Sequence, residues 1–195
     1  SAVTRKFLLV NQETANSANV TGLTQRNFVN YGNTSAQADY IIISNPLLYN
    51  DGNGNNFVDQ YKQYRSSVTG GSFNTKIFNI DELVDQFAFG IKKHPSSIRD
   101  FIRYADQSFT VKPKYVFLIG RGINYMDQRD NESNPLTDRM DLVPTFGWPA
   151  SDMLLSAPAG TYTPLVPIGR LSAVTGTEVS YYLDKVKEYE QVQQS

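Results

Sequence analysis

Five acidic side chains lie close together in the sequence, within the polar connection from residue 126 to residue 142: Asp127, Asp130, Glu132, Asp138 and Asp141. Ca²⁺ is held by about six to eight oxygen ligands, carboxylates among them. Connections longer than about 12 to 15 residues are usually functional or disordered. The pattern predicts a calcium site on these residues, and no other cofactor is required. The alternative, that Arg129 and Arg139 neutralise the same acids as simple ion pairs, stays open.

A glycine turn follows the most apolar run of the chain. Tyr115 to Ile119 is continuously apolar, and Gly120-Arg121-Gly122 comes directly after it. In open α/β sheets, ligands bind outside the carboxyl ends of the strands, so function is expected to gather here. A dinucleotide fingerprint would need a third glycine where Tyr125 stands and then a helix, whereas the following residues predict a loop. A glycine turn at a strand end is the better interpretation.

A second motif for calcium is incomplete. Asp51, Asn53 and Asn55 match the first ligand positions of an EF-hand loop, but Asn56 replaces the turn glycine and Lys62 replaces the bidentate glutamate. This segment is predicted to be a solvated loop that leads into a helix.

The residues that would perform nucleophilic catalysis are missing. The chain has no cysteine, and His94 is its only histidine. Disulfides, thiolate zinc sites and a two-histidine zinc helix are therefore excluded. His94 precedes Pro95, a residue suited to the first turn of a helix, so we expect His94 at a helix start and not in a catalytic dyad.

Charge and hydropathy exclude two classes of partner. The net charge is -1, with both signs mixed along the chain, which gives no footprint for nucleic acid. No apolar run approaches the roughly 20 residues that span a bilayer. The start of the chain also lacks the apolar core of a signal peptide.

Short apolar runs alternate with helical patterns, and this predicts the elements that position these residues. Strands are expected at residues 40–43, 75–80, 115–119 and 165–168, and helices at 57–68, 81–87, 95–105 and 175–189. The last helix has a capping box, Thr175 with Glu178, and an apolar face that ends at Tyr189. Alternation of this kind predicts an α/β fold, a three-layer sandwich with a mostly parallel sheet. Residues 1–37 are predicted to form a polar arm with a short strand at Phe7–Val10, and residues 38–195 the domain.

Several segments, in order, resemble the gingipain-like cysteine peptidases. The matching segments are residues 38–46, 81–87, 97–105, 113–120, 142–145, 150–152 and 168–171, followed by a final helix that ends at Tyr189-Glu190. This caspase-like α/β family includes a surface peptidase of the type IX secretion system in Bacteroidetes. The resemblance covers only the N-terminal, flavodoxin-like subdomain of such a peptidase domain.

The resemblance implies a function for the longer protein. In the family, a glycine-flanked histidine and a nucleophilic cysteine come from the part that follows, so the full-length protein would hydrolyse peptide bonds with a Cys-His dyad. This chain would be its non-catalytic N-terminal part, with the C-terminal catalytic subdomain and peptide substrates as partners, at the cell surface or secreted. Arg121 departs from the family, whose members commonly carry aspartate after the glycine.

Two other functions stay open from the sequence. An inactive peptidase-like scaffold would keep the fold without the catalytic half. A flavodoxin-like or Rossmann-like ligand binder would use the turn at Gly120 to Gly122. The final residues, 191–195, contain neither glycine nor proline to end the helix, which fits a chain cut within a larger protein.

Overall fold

Four short segments form one parallel sheet in the computed structural model, which describes residues 9, 11, 13, 20–131 and 133–194. The strands are β1 (Tyr40–Ser44), β2 (Thr75–Asn79), β3 (Tyr115–Ile119) and β4 (Ile168–Leu171). Their order across the sheet is β2-β1-β3-β4, and every pairing is parallel. The helices are α1 (Phe57–Ser66), α2 (Ile80–Phe87), α3 (Ser96–Ser108), α4 (Tyr125–Asp130), α5 (Pro135–Met140), α6 (Met153–Ser156) and α7 (Gly176–Gln194).

The central strand β1 is apolar along its whole length because it is buried on both faces. Its five residues are all buried. Ile41 and Ile43 lie in one core with residues of α2, α3 and α6, whereas Ile42 lies in a second core with residues of α1 and α7. Successive side chains of a strand point to opposite faces, so a continuous apolar run needs a helical layer on each side. The predicted three-layer α/β fold is confirmed.

Part of the predicted arm packs against the domain. Tyr31 is 4% exposed, and its ring lies 5.3 Å from that of Phe101 and 5.9 Å from that of Phe78. The side-chain amide of Gln86 accepts a hydrogen bond from the backbone N of Val29 (3.1 Å) and donates one to its carbonyl (3.0 Å). These contacts hold the chain before β1 onto α2 and α3. The strand predicted at Phe7–Val10 lies, apart from Leu9, outside the described residues.

The fourth strand begins later than the sequence predicts. Residues 165 and 166 are held by the end of α6, because Leu165 N donates to the Ser156 carbonyl (3.0 Å) and Val166 N to Ser156 Oγ (3.0 Å). Pro167 has no N–H, and only its carbonyl enters the sheet, where it accepts from Val116 N (2.9 Å). The predicted strand at 165–168 is therefore wrong in position, and pairing with β3 continues through Gly169 to Leu171.

The polar connection after β3 also differs from the prediction, since it holds two short helices. Asn124 Oδ1 accepts from Asp127 N (3.0 Å) at the start of α4, and Asn134 Oδ1 accepts from Leu136 N (3.0 Å) at the start of α5. Asparagine is a strong N-cap, and Pro135 suits the first helical position. Neither helix has a buried residue, which is why no apolar periodicity in the sequence predicts them.

The last helix begins as predicted. Glu178 Oε2 accepts from Thr175 N (3.2 Å), and Glu178 N donates to Thr175 Oγ1 (3.3 Å), so the capping box is formed. Val179 and Leu183 are buried, whereas Tyr189 is 64% exposed. The buried face of the helix therefore does not reach Tyr189, where the sequence predicts its end. The first helix, α1, ends at Ser66 and is shorter than predicted, and Val68 is exposed beyond its end.

Burial of Tyr31 predicts a loss of stability in alkali. Desolvation raises the pKa of Tyr31 to about 12, while an unfolded tyrosine titrates near 10. The unfolded state therefore releases this proton first, and stability falls as pH rises above about 10. We expect Tyr31→Phe to remove about 1 kcal/mol of the loss in unfolding free energy between pH 8 and pH 11. Urea titrations of both proteins at the two pH values measure it, and equal losses would contradict the assignment.

Candidate active-site edge

The carboxyl ends of β1 and β3 form the topological switch point of the sheet. From β1 the chain passes to β2 on one side, and β3 returns on the other side of β1. Ligands of open α/β sheets bind in the crevice outside such a point. Ser44 and Asn45 end β1 there, and Gly120 to Gly122 follow β3.

This crevice is filled by the protein's own chain. Leu142 N and Val143 N both donate to the Arg121 carbonyl, at 2.8 and 3.0 Å, and Asn45 Nδ2 donates to the Leu142 carbonyl at 3.1 Å. Leu142 and Val143 are buried. The contact at Arg121 is made by its backbone carbonyl, so it does not depend on which side chain stands at this position.

The two glycines are needed for that close approach. A Cβ on Gly120 would lie 2.6 Å from Val143 Cγ2, and one on Gly122 would lie 2.7 Å from the Val143 carbonyl oxygen. Gly120 also has a φ of +146°, which L side chains rarely adopt. The space that a phosphate would need beside the turn is occupied by residue 143, which argues against the dinucleotide alternative. The turn at a strand end agrees with the sequence-based interpretation.

Gly120→Ala is expected to destabilise the fold because the new methyl group would overlap Val143 and strain the backbone. We expect a loss of about 2 kcal/mol or more in unfolding free energy. Gly22→Ala is the matched control, since Gly22 is exposed and nothing lies within 4 Å of its added Cβ. Urea unfolding of both variants measures the difference. A loss at Gly120 no larger than that at Gly22 would mean that the turn can open, and would restore the ligand interpretation.

Arg170, on β4, holds the segment that covers this edge. Its guanidinium donates to the carbonyls of Gly120 (2.6 Å), Val143 (2.7 Å) and Pro144 (3.1 Å). It also forms two hydrogen bonds with Asp152, each 2.8 Å long. The side chain is only 10% exposed, so these are well-shielded, charge-assisted bonds. Sequence patterns did not identify this role, although Arg170, Asp152 and residues 142–145 all lie in the segments that carry the family resemblance.

A cavity of about 230 Å³ opens beside this segment. Its lining comprises Lys93, Pro95, Ile123, Tyr125, Gln128, Asp141 and residues 144–148. Asp141 is 3% exposed, and its Oδ1 accepts from Ile123 N at 3.1 Å. Desolvation raises the pKa of Asp141 above its usual range. The arrangement can hold a small ligand or one side chain, with a carboxylate at its base.

The predicted calcium residues are separated into different environments. Asp127 caps α4 with Asn124, and Asp130 is exposed at the end of that helix. Asp138 pairs with Lys93 at 2.7 Å, which lowers the pKa of Asp138, and Asp141 lies in the cavity.

Glu132 lies outside the described residues. Within the part of the chain that is described, no group of three or more acidic or histidine side chains is placed to hold a metal ion. The calcium site stays a prediction. The cation paired with Asp138 is Lys93 and not Arg139.

Local hydrogen bonds hold two other candidate segments, the loop at Asp51 and the residues around His94. The side-chain amide of Asn55 donates to Asp51 Oδ2 (2.9 Å), and the backbone N of Asn55 (3.0 Å) and of Asn53 (2.8 Å) donate to Asp51 Oδ1. These bonds lower the pKa of Asp51 to about 2. His94 lies just before α3, where its Nδ1 accepts from Ser96 N at 3.2 Å and lies 2.7 Å from Ser96 Oγ. The solvated loop and the histidine at a helix start are both confirmed.

Comparison with known proteins identifies the family. The family model for peptidase family C25 matches residues 33–195. No curated protein and no solved structure matches the chain. Among the described residues, no helix is both long and apolar enough to cross a membrane. The matched region contains the ends of β1 and β3, the glycine turn and Arg170 described above. Because the match covers more than half of the chain, the chain belongs to peptidase family C25, the gingipain-like cysteine peptidases.

Proposed function

We propose that this chain is the non-catalytic N-terminal part of a gingipain-like cysteine endopeptidase. The observation that carries the proposal is the combination of family membership with the missing chemistry. A cysteine peptidase attacks with a thiolate and uses a histidine to transfer the proton. This sequence has no cysteine, and Nδ1 of His94 is engaged at the start of α3. The Cys-His dyad would therefore come from the polypeptide beyond residue 195.

The order of helices and strands supports residues 38–195 as one subdomain, with residues 1–37 as its arm. The α1 connection from β1 to β2 lies on one face of the sheet, and the later connections up to β4 lie on the other. After β4, α7 returns to the face of α1, where Leu183 shares a core with Tyr61. Parallel crossovers are right-handed in about 98% of cases. On this face, α1 connects β1 to β2, in the direction away from β4. A right-handed connection through α7 would lead in the same direction and would not add a strand beyond β4. We therefore expect the catalytic part to build a separate sheet and not to extend the sheet at β4.

The carboxyl edge of the sheet is the surface that we assign to the catalytic part. Large apolar side chains are exposed there, among them Tyr125 (57%) and Trp148 (71%) at the cavity. Apolar side chains grouped around a concave site indicate a surface that another part of a protein covers. The substrates are proteins or peptides, and we propose a secreted or cell-surface location, as for type IX secretion in Bacteroidetes, from the family alone.

A scaffold without activity is the second candidate, and the absence of cysteine favours it equally. The two functions differ in a peptidase assay on two purified proteins. One protein is this chain, and the other is the natural polypeptide read past the codon for Ser195. We expect hydrolysis of a protein substrate from the longer polypeptide alone, whereas a scaffold would give none from either.

A further inference from the structure

The cavity at the carboxyl edge combines a buried acid with aromatic walls. Asp141 lies at its base, and Tyr125, Phe146 and Trp148 are among the residues that line it. Among the described residues, Oδ2 of Asp141 accepts no hydrogen bond, while its Oδ1 accepts from Ile123 N. Oδ2 is not one of the fully enclosed polar atoms that lack a partner. It is therefore accessible from the cavity, where a donor that enters can form a charge-assisted hydrogen bond with it.

Lys93, a cation that already lines the cavity, makes its hydrogen bonds to Asp138 and not to Asp141 Oδ2. The Nζ of Lys93 donates to both the side chain (2.7 Å) and the backbone carbonyl of Asp138. The backbone of Lys93 has a φ of +59°, a conformation that is uncommon for a residue other than glycine. Strain of this kind persists where surrounding contacts fix it. Lys93 is thus held at α5, and it lowers the pKa of Asp141 only as a nearby charge, together with Arg170, while Asp138 opposes them.

The aromatic walls select the kind of group that can enter. A cation is attracted to the faces of aromatic rings, and the stems of lysine and arginine pack on apolar surface. The cavity volume of about 230 Å³ suits one long side chain. Its mouth is exposed and apolar at Tyr125 and Trp148. A side chain that enters from a surface covering those two rings would also remove this apolar area from water.

We propose that this cavity is the seat for one lysine or arginine side chain of the catalytic part of the same polypeptide. The identity of that partner rests on the proposed function, whereas the chemistry of the seat rests on Asp141 and the aromatic walls. The ammonium or guanidinium group of the incoming side chain donates to Asp141 Oδ2, and its stem lies between Tyr125 and Trp148.

The first experiment uses this chain alone, because Trp148 is its only tryptophan and reports on the cavity by its fluorescence. The probes are N-acetyl-lysine methylamide and N-acetyl-arginine methylamide, with N-acetyl-norleucine methylamide as the uncharged control. We expect the basic probes to change the emission at concentrations at least fivefold lower than norleucine does. Asp141→Asn keeps the acceptor for Ile123 N and should abolish this preference. Asp184→Asn, an equal change of charge on the exposed side of α7, should preserve it. Equal responses to all three probes would overturn the seat.

The second experiment assigns the partner by comparing Asp141→Asn in two proteins. In this chain alone, the seat is empty, and we expect a change of about 1 °C or less in the unfolding midpoint. In the longer natural polypeptide, where the seat would be filled, we expect a loss at least about 3 °C larger. Equal shifts would overturn the assignment to the catalytic part. So would an unchanged midpoint accompanied by a raised KM for basic peptides, which would assign the seat to substrate. The fluorescence and midpoint measurements do not depend on whether the longer polypeptide is active, so failure of the proposed function is seen separately.

Discussion

Arg170→Ala is expected to lower the thermal unfolding midpoint of this chain by roughly 10 °C. The guanidinium of Arg170 makes five hydrogen bonds, three to backbone carbonyls and two to Asp152. Removing one partner of a buried ion pair costs about 3 to 5 kcal/mol, because the other charge stays behind without compensation. We expect the lower end of this range, since the side chains of Arg170 and Asp152 are 10% and 24% exposed. For a chain of this size, each kcal/mol shifts the midpoint by about 2 to 4 °C.

Arg170→Ala should loosen the segment that covers the carboxyl edge, residues 142–152, more than it loosens the sheet. Gly120, Val143 and Pro144 would each lose a donor, so the segment at residues 142–152 would be released from the end of β3. We therefore expect faster hydrogen exchange at Leu142 N and Val143 N than in the unmodified protein. Exchange in the strands should change only as much as the global stability does.

Two further variants test whether the geometry or only the charge matters. Arg170→Lys keeps the charge but offers no planar fork, so we expect a loss between that of alanine and none. Arg99→Ala is the matched control, since Arg99 also makes two hydrogen bonds to a carboxylate, that of Asp100. Its side chain is 33% exposed, and exposed pairs contribute about 0 to 1 kcal/mol. If Arg170→Ala cost no more than Arg99→Ala, our account of the covering segment would be wrong.

Patterns of local sequence predicted the elements whose signals are strong. The β-branched run at Tyr40–Ile43 gave the central strand, because only a strand buried on both faces needs four apolar residues in succession. The capping box at Thr175 and Glu178 located the start of α7. In each case, the residues whose pattern predicts the element also form the packing or the hydrogen bonds that stabilise it.

Other features were missed for physical reasons. The short helices α4 and α5 bury no residue and have no apolar periodicity, so only their caps, Asn124 and Asn134, mark them. Residues 165 and 166 have the apolar character of a strand but are bound by Ser156. Tyr31 stands in a polar segment, and its burial depends on rings that come from β2, α2 and α3.

The site itself could be predicted only in part. The carboxyl end of β3 was expected to gather function, and the cavity and the covering segment do lie there. The role of Arg170 could not be predicted, because its carbonyl acceptors lie between 26 and 50 residues away and a carbonyl has no sequence signature. Asp141 is buried whereas Asp127, Asp130 and Asp138 of the same connection are exposed, and this difference likewise depends on tertiary packing.

The second large effect that we expect is on catalysis. This chain alone should hydrolyse no peptide bonds above the rate of buffer, since it has neither thiol nor free catalytic histidine. The longer natural polypeptide should hydrolyse a protein substrate at a rate that a thiol alkylating agent abolishes. Loss of the thiolate removes the nucleophile, so the expected effect is complete loss of activity.

The controls separate the role of this chain from that of the catalytic part. Replacing the nucleophilic cysteine by alanine in the longer polypeptide should remove activity and preserve its unfolding midpoint. Arg170→Ala in the same polypeptide should lower the midpoint and, below that midpoint, leave part of the activity. This contrast is expected of a supporting subdomain that contributes no reacting group.

The measurement that tests the central claim most directly is therefore hydrolysis of a fluorescent protein substrate by this chain and by the longer natural polypeptide, each with and without the alkylating agent. Our account predicts activity in one sample only, the longer polypeptide without the agent. Activity from this chain alone, or a longer polypeptide that is folded and inactive, would contradict it.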